Sequence, residues 1–200
     1  FGGRRVTGQA LLGWVVGRMM TAVMDPEQPE RALPHATALG EAFQLTNFVR
    51  DVREDVLERD RVYLPGETLR RHGVDYEQVS ALEFDERLAA AVQDELSRAE
   101  ALYKDGVAGI KYLPEDCQFA VLLAAVLYAD HHRSIRRLGY DVVSQTPSLS
   151  LVRKLSLLAR TRWAWTWNRD PEAVFARVSA VPYAGSRDRR GERADPRPAR

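Results

Sequence analysis

The feature that most restricts the fold of this chain is a polar stripe within the largely apolar segment 40–65. Its members occur at intervals of three, four and four residues, and they are Gln44, Asn47, Asp51 and Asp55. This spacing brings side chains to one side of an α-helix, where at about 100° per residue they lie within an arc of roughly 80°. Phenylalanine, leucine and valine occupy four of the eight positions between them, so we expect much of this helix to be buried.

Two buried carboxylates and two amides need partners, because an ionised carboxylate without partners is very costly in an apolar interior. A hard cation is the natural partner, since magnesium takes oxygen ligands and binds through one or two carboxylates plus substrate phosphates. Arg50, Arg53 and Arg61 lie close enough in sequence to neutralise the remaining phosphate charge. The stripe therefore predicts one half of a site for a metal-bound diphosphate. A helical D-x-x-x-D pair is also common on solvated surfaces, and that structural alternative stays open.

The rest of the chain predicts α-helices and turns. Apolar periodicity and helix-terminating residues place helices at about 6–24, 30–58, 67–71, 84–103, 114–139 and 148–167. No segment has convincing strand patterning, and neither an internal repeat nor a glycine-rich phosphate loop is present. The predicted fold class is all-α.

Three details of these helices carry specific expectations. Gly17 and two further glycines in the first helix predict the close approach of another backbone or of a ligand. His131 and His132 are adjacent, so on a regular helix they point to different sides and cannot both face one metal ion. Alternate positions near the end of the last helix are occupied by Trp163, Trp165 and Trp167. We expect these tryptophans to pack over a broad helix face.

Composition limits the class of protein. The 200 residues include 29 basic and 28 acidic residues, and the net charge of +1 gives no argument for nucleic-acid binding. No apolar run approaches the roughly 20 residues needed to span a bilayer, and the first residues lack signal-peptide organisation. A cytoplasmic protein is expected, with one domain over residues 1–182. Residues 183–200, rich in arginine, predict a disordered tail, and peripheral membrane contact stays open.

Residues 40–55, followed by the RVYLP sequence at 61–65, resemble the second aspartate-rich signature of the squalene/phytoene synthase family. The bacterial phytoene synthase branch is the closer likeness. Further similarity lies at 16–20, at Tyr128, at 138–142 and at 153–155, so the resemblance covers roughly residues 13–160.

This resemblance implies an isoprenoid-synthase-type helical bundle around a central cavity. Family members join two prenyl diphosphates head to head through a cyclopropylcarbinyl diphosphate, using Mg²⁺, for which Mn²⁺ is the alternative. In the phytoene synthase branch the substrate is geranylgeranyl diphosphate and the product is phytoene, the entry to carotenoids. The alternative within the family is a squalene or dehydrosqualene synthase that uses farnesyl diphosphate.

The resemblance also implies roles for individual residues. Asp51 and Asp55 would bind the metal and act in catalysis, and Asn47 would assist as a ligand. The substrate-binding residues implied or expected beside them are Gln44, Asn47, Arg50, Arg61, Tyr63 and Tyr128. Gln44 would line the same wall, Arg61 and Tyr63 would lie by the diphosphate, and Tyr128 would line the cavity.

Three departures from the family pattern accompany the likeness. The first aspartate-rich motif belongs upstream of residue 16 and has no counterpart here, so the chain resembles the C-terminal two-thirds of the family domain. The interval from Asp55 to Arg61 is one residue longer than usual, and residues 144–148 replace the expected arginines. A non-catalytic relative that serves as a binding or assembly module is therefore a further alternative. Prenyl chain length, use of NADPH and oligomeric state stay open.

Overall fold

The computed structural model describes residues 8–183, without the side chains of residues 8–14 and 16. Nine α-helices occur within this range. They are α1 (Gly8–Met24), α2 (Pro29–Arg50), α3 (Val52–Arg59), α4 (Gly66–Arg71), α5 (Tyr76–Ser80), α6 (Glu86–Ala108), α7 (Glu115–Arg137), α8 (Leu151–Trp167) and α9 (Pro171–Val178). A short 3₁₀ helix, Ile110–Tyr112, precedes α7, and residues 8–183 contain no strand. The all-α prediction is confirmed.

The α2 helix lies between α1 and α6 at very short range. A Cβ atom added to Gly17 of α1 would lie 2.5 Å from the carbonyl oxygen of Ala36, and one added to Gly106 of α6 would lie 2.7 Å from the backbone nitrogen of Leu39. Any side chain at either position would overlap the α2 backbone. The close approach predicted for Gly17 is confirmed, and it places α2 at the centre of the bundle.

The prediction of one uninterrupted helix over 30–58 is wrong at Asp51, which separates α2 from α3. Asp51 has φ −98° and ψ 8°, outside the helical range. The hydrogen bonds from Asp51 N to Asn47 O and from Asp55 N to Asp51 O, both 2.8 Å, nevertheless preserve the helical ladder. Adjacent side chains diverge on a regular helix. The departure of Asp51 from helical φ and ψ angles accompanies an ion pair in which Arg50 donates two hydrogen bonds to Asp51. The chain therefore bends within the polar stripe.

Two apolar clusters form the core of the described residues, and α2 contributes to both. Leu45 packs in the first cluster with Tyr103 and Leu122, whereas Val49, one turn later, packs in the second with Leu88. Apolar periodicity over residues 84–103 predicts an inward face of α6, and its five members are all buried: Leu88, Ala91, Val92, Leu96 and Ala99. The same periodicity predicts that the charged residues of this segment are mostly solvated. This prediction fails at Glu95, which is buried and accepts a hydrogen bond from Thr68.

The tryptophans of α8 divide between core and surface. Trp165 is 4 % exposed, whereas Trp163 and Trp167 are 64 % and 75 % exposed and contact each other edge to face. Residues two apart on a helix differ by about 200° in direction, so Trp163 and Trp167 share one side and Trp165 lies on the opposite one. The helix assignment is confirmed, but the packing role holds for Trp165 alone.

Two further predictions concern the membrane and the C-terminal segment. Within residues 8–183, no helix combines the length and apolar character needed to cross a bilayer. Apart from Tyr183, the predicted disordered tail lies outside the described residues. Tyr183 itself is partly buried and packs edge to face on Phe175 of α9.

Candidate functional site

A cavity of about 310 Å³ opens between α1, α2, α6 and α7. Its wall is apolar and includes Gly17 and Met20 of α1, Phe43 of α2, and Val121 and Ala124 of α7. The volume lies at the lower end of the roughly 300–1,000 Å³ typical of ligand pockets. A wall of this kind favours a hydrocarbon group.

The polar stripe continues the α2 wall of this cavity. Gly40 and Phe43 line the cavity, and Asn47 and Asp51 follow at the helical intervals that keep side chains on the same face. Gln44 lies beside them and is half-buried. This face is thus apolar at Phe43, bears amides at the end of α2 and reaches a carboxylate at Asp51, directly after the helix.

Asn47 carries an unsatisfied buried oxygen. Its Oδ1 atom is inaccessible to solvent and has no hydrogen-bond partner among the described residues. A buried acceptor of this kind normally has a partner, because its desolvation is otherwise uncompensated. A cation or a hydrogen-bond donor from a ligand would satisfy it.

Both stripe carboxylates are held by arginines. Arg50 donates from Nε and Nη2 to the two Asp51 oxygens at 2.6 and 2.7 Å, and Arg59 Nη1 donates to Asp55 Oδ1 at 2.5 Å. The hydrogen bond with Asp51 raises the pKa of Arg50, so this guanidinium stays charged. The buried carboxylate of Asp55 and the half-buried one of Asp51 are therefore neutralised by local cations.

The loop after α3 brings two more predicted residues next to the stripe. Tyr63 stacks on Phe48 of α2 with ring centroids 5.6 Å apart, and Arg61 donates to the Tyr63 hydroxyl at 3.2 Å. Asp60 adopts a left-handed conformation with φ 50°, which ends α3 and directs the chain back toward α2.

The opposite wall of the site comes from α7. Ala124 lines the cavity, and Tyr128 and His131 follow it at intervals of four and three residues, on the same helix face. Tyr128 packs on Phe43 with ring centroids 4.7 Å apart, and the His131 ring lies 6.5 Å from that of Tyr128. Burial, assisted by the charge of Arg50, lowers the pKa of His131 to about 4.

His131 is the site residue that the motif-based analysis missed. Tyr128 is not among the residues that line the cavity, but it was a predicted site residue. The spacing of His131 from Tyr128 was the available signal, because a residue three positions later lies on the same helix face. The prediction that the two adjacent histidines point to different sides of α7 is confirmed. His132 is fully buried in the core, whereas His131 is only partly buried.

A buried polar network lies behind the stripe. Thr46 Oγ1 is 2.9 Å from Tyr103 Oη and 3.0 Å from His132 Nε2, and His132 Nδ1 is 3.1 Å from Glu100 Oε1. Glu100 also accepts a hydrogen bond from Arg136. Burial raises the pKa of Glu100, but the bond with His132 and the charge of Arg136 outweigh it, and the net pKa is lowered. The network joins α2, α6 and α7 and fixes α2 from behind.

The segment after Asp141, where arginines were expected, is held by hydrogen bonds that involve its backbone atoms. Asp141 Oδ1 accepts a hydrogen bond from Ser144 N at 2.9 Å, and Arg53 of α3 donates to the Val143 carbonyl at 2.6 Å. Arg53 is thereby engaged by the protein's own backbone.

The predicted metal ligands form a row along one wall of the site. Within residues 8–183, no three histidine, cysteine or acidic side chains converge on one point. Asn47, Asp51 and Asp55 nevertheless offer only oxygen donors, and the unsatisfied Asn47 oxygen is a ready ligand. This donor chemistry fits one side of a magnesium site whose remaining ligands would come from a phosphate group, from water or from other residues.

Comparison with known proteins identifies the family of the chain. The chain matches the squalene/phytoene synthase family over residues 12–155. It is 38% identical to the phytoene synthase of Thermus thermophilus over 157 residues, which are 78% of this chain and 53% of that protein. It is 34% identical to the 15-cis-phytoene synthase of Synechococcus elongatus over 137 residues, covering 68% of this chain and 44% of that protein.

A solved structure supports the same assignment. The fold matches the crystal structure of a dehydrosqualene synthase in complex with ligand, with a TM-score of 0.63 and 30% sequence identity, over 72% of this chain and 50% of that one. The chain spans about half the length of the curated relatives that it matches. The all-α bundle and the match over residues 12–155 establish that the chain belongs to the squalene/phytoene synthase family.

Proposed function

We propose that this chain forms the second aspartate-rich wall of a magnesium-dependent prenyltransferase. That enzyme would condense two molecules of geranylgeranyl diphosphate head to head to phytoene, through a cyclopropylcarbinyl diphosphate. The names of the relatives favour phytoene synthesis over the farnesyl-using alternative. The observation that carries the proposal is the single helix face that runs from the apolar cavity, at Phe43 of α2, to Asn47 and on to Asp51 at the end of α2.

This face fits an amphiphilic substrate. The prenyl chain would lie in the apolar cavity beside Phe43 and Tyr128, and the diphosphate would lie at the carboxylates. Asn47, Asp51 and Asp55 would hold magnesium, which when bound neutralises diphosphate charge and stabilises it as a leaving group. The apolar wall would exclude water from the carbocation left behind.

The arginines and tyrosines would position the substrate. Arg50 and Arg61 carry positive charge next to the stripe and could donate to phosphate oxygens. Tyr63, held by Phe48 and Arg61, would border the diphosphate. Tyr128 would pack against the prenyl chain near its reacting end.

A product assay tests this function directly. The chain is incubated with Mg²⁺ and geranylgeranyl diphosphate, and in parallel with farnesyl diphosphate, and the organic extract is analysed by chromatography. Phytoene from the C20 substrate supports the proposal, and a C30 product from the C15 substrate favours the alternative. Release of no diphosphate from either substrate contradicts turnover by this chain.

A binding or assembly module is the second candidate. One observation favours it: Arg50 and Arg59 already pair with the carboxylates of Asp51 and Asp55. Calorimetric titration with a non-hydrolysable prenyl thiodiphosphate separates the candidates. A chain that forms one half of a substrate site should bind the analogue only when Mg²⁺ is present. A pure scaffold should not bind it with or without Mg²⁺.

A further inference from the structure

His131 is a polar side chain at the site whose bonding capacity the structure leaves unused. Its Nδ1 atom is buried and has no hydrogen-bond partner among the described residues. Its neighbour His132 differs, because both ring nitrogens lie within 3.1 Å of oxygen atoms, on Thr46 and Glu100. The core therefore satisfies both ring nitrogens of His132, but it leaves His131 Nδ1 without a partner.

The position of His131 on α7 indicates that its missing partner is a ligand of the site. On α7 it follows Ala124 and Tyr128 along the cavity face, toward the polar end of the site. On α2, the turn after the cavity-lining Phe43 carries Asn47, and Asp51 follows directly after the end of the helix. Two helices thus each place an unsatisfied buried atom, Asn47 Oδ1 and His131 Nδ1, just beyond the apolar cavity.

Asn47 Oδ1 can only accept a hydrogen bond or bind a cation, whereas an imidazole nitrogen can donate. His131 is neutral near pH 7, because burial lowers its pKa to about 4. A neutral ring carries one N–H, which suits an anionic oxygen without adding charge beside Arg50. Magnesium prefers oxygen ligands, so the nitrogen is better matched to the anion than to the metal.

We propose that His131 is a substrate-contacting residue of this site, donating a hydrogen bond from Nδ1 to an oxygen of the bound diphosphate. This inference rests on the proposed function and adds α7 to the diphosphate-binding surface. The contact would satisfy a buried nitrogen that is otherwise unpaired.

The experiment uses the whole chain labelled with ¹⁵N-histidine, titrated with inorganic diphosphate in the presence of Mg²⁺ and followed by long-range ¹H–¹⁵N NMR. The chain has four histidines, and His35 and His72 serve as internal references. We expect the His131 Nδ1 resonance to move on binding while the two references stay fixed. Diphosphate binding with no change at His131 would overturn the inference.

Variants give a second measurement by calorimetry with the same probe. His131→Leu should weaken diphosphate binding by about tenfold, the loss expected for one hydrogen bond to a charged group. His131→Asn, whose amide nitrogen lies near the position of Nδ1, should restore most of the affinity, and His35→Asn is the matched control. Equal affinity of the Leu variant and the wild type would contradict the role of His131.

The two hypotheses fail in different ways. If the wild-type chain does not bind diphosphate with Mg²⁺, the proposed function of the stripe fails, and the inference fails with it. The inference alone is wrong if the wild type binds and Asp51→Asn abolishes binding, but the His131 Nδ1 resonance does not move and His131→Leu binds diphosphate as well as the wild type.

Discussion

The Thr46 hydroxyl on α2 and the Nε2 atom of His132 on α7 lie 3.0 Å apart in the core. Tyr103 of α6 reaches the same hydroxyl at 2.9 Å, so one oxygen joins three helices. Thr46 precedes Asn47, and its contacts therefore fix the helix from which the stripe projects. The orientation of the candidate metal ligands depends on this buried hydroxyl.

Thr46→Val should lower the free energy of unfolding by about 1–3 kcal/mol, because the nearly isosteric valine leaves Tyr103 and His132 without their buried partner. Urea denaturation followed by circular dichroism measures the change. Thr166→Val is the control, since that hydroxyl is exposed and bonds only to its own helix. Its effect should stay within about 0.5 kcal/mol. Equal losses in both variants would contradict the interpretation.

Asp51→Asn and Asp55→Asn should each weaken magnesium-dependent diphosphate binding by roughly 10–100-fold, the range for losing a charged contact of about 1.5–3 kcal/mol. Titration calorimetry with and without Mg²⁺ measures the loss. Glu54→Gln is the matched control, because Glu54 is an acidic residue of α3 outside the stripe. Unchanged binding in both aspartate variants would favour the solvated-surface interpretation.

Arg153→Met should lower the free energy of unfolding by about 3–5 kcal/mol, because it leaves Asp130, only 1 % exposed, as a buried charge without its partner. Arg153 now donates two hydrogen bonds to Asp130, at 2.7 and 2.6 Å, which tie α8 to α7. The double variant Asp130→Leu/Arg153→Met should recover most of the loss, since no unpaired charge remains. A double variant no more stable than Arg153→Met would contradict this account.

The free energy of unfolding should fall as the pH is lowered from about 6.5, the usual pKa of an unfolded-state histidine. Burial lowers the pKa of both His131 and His132, so below that pH the unfolded chain binds more protons than the native chain. For His131 the fall continues to about pH 4. Glu100, whose pKa is lowered in the native chain, loses its contribution to the free energy of unfolding only below about pH 4.3, the usual pKa of a glutamate.

Urea denaturation at a series of pH values between roughly 7 and 4.5 measures this dependence. His131→Gln should flatten the curve, because one of the two titrating groups is removed. His72→Gln is the control, at a partly exposed histidine that belongs to neither apolar cluster. Parallel curves for wild type and His131→Gln would show that His131 is not the group responsible.

Periodicity predicted the helices well where one face is apolar over several turns. The inward residues of α6 follow from this pattern. It missed α5 and α9, which have five and eight residues, because so few turns provide little periodic signal. It also missed the bend at Asp51, because the Arg50–Asp51 ion pair that accompanies the bend involves neighbours whose side chains diverge on an ideal helix.

The candidate site was predictable on α2 and largely hidden on α7. The three-and-four spacing of the stripe is visible in sequence, whereas the contact of Tyr128 with Phe43 joins residues 85 positions apart. The burial of Glu95 also depends on a residue distant in sequence, because Thr68 of helix α4 donates a hydrogen bond to it. Such contacts follow from tertiary packing, which single-sequence patterns do not encode.

The arginine pairs at Asp51 and Asp55 have a thermodynamic consequence. A magnesium ion arriving alone must compete with Arg50 and Arg59 for carboxylates that are already neutralised. Once displaced, Arg50 would be available to an anion, so a bound diphosphate would offset part of the free energy lost when the Arg50–Asp51 ion pair is broken. Metal and diphosphate would then be linked ligands with positive cooperativity, each raising the affinity of the other by the same factor. The stripe would respond to the magnesium–diphosphate complex far more than to either component.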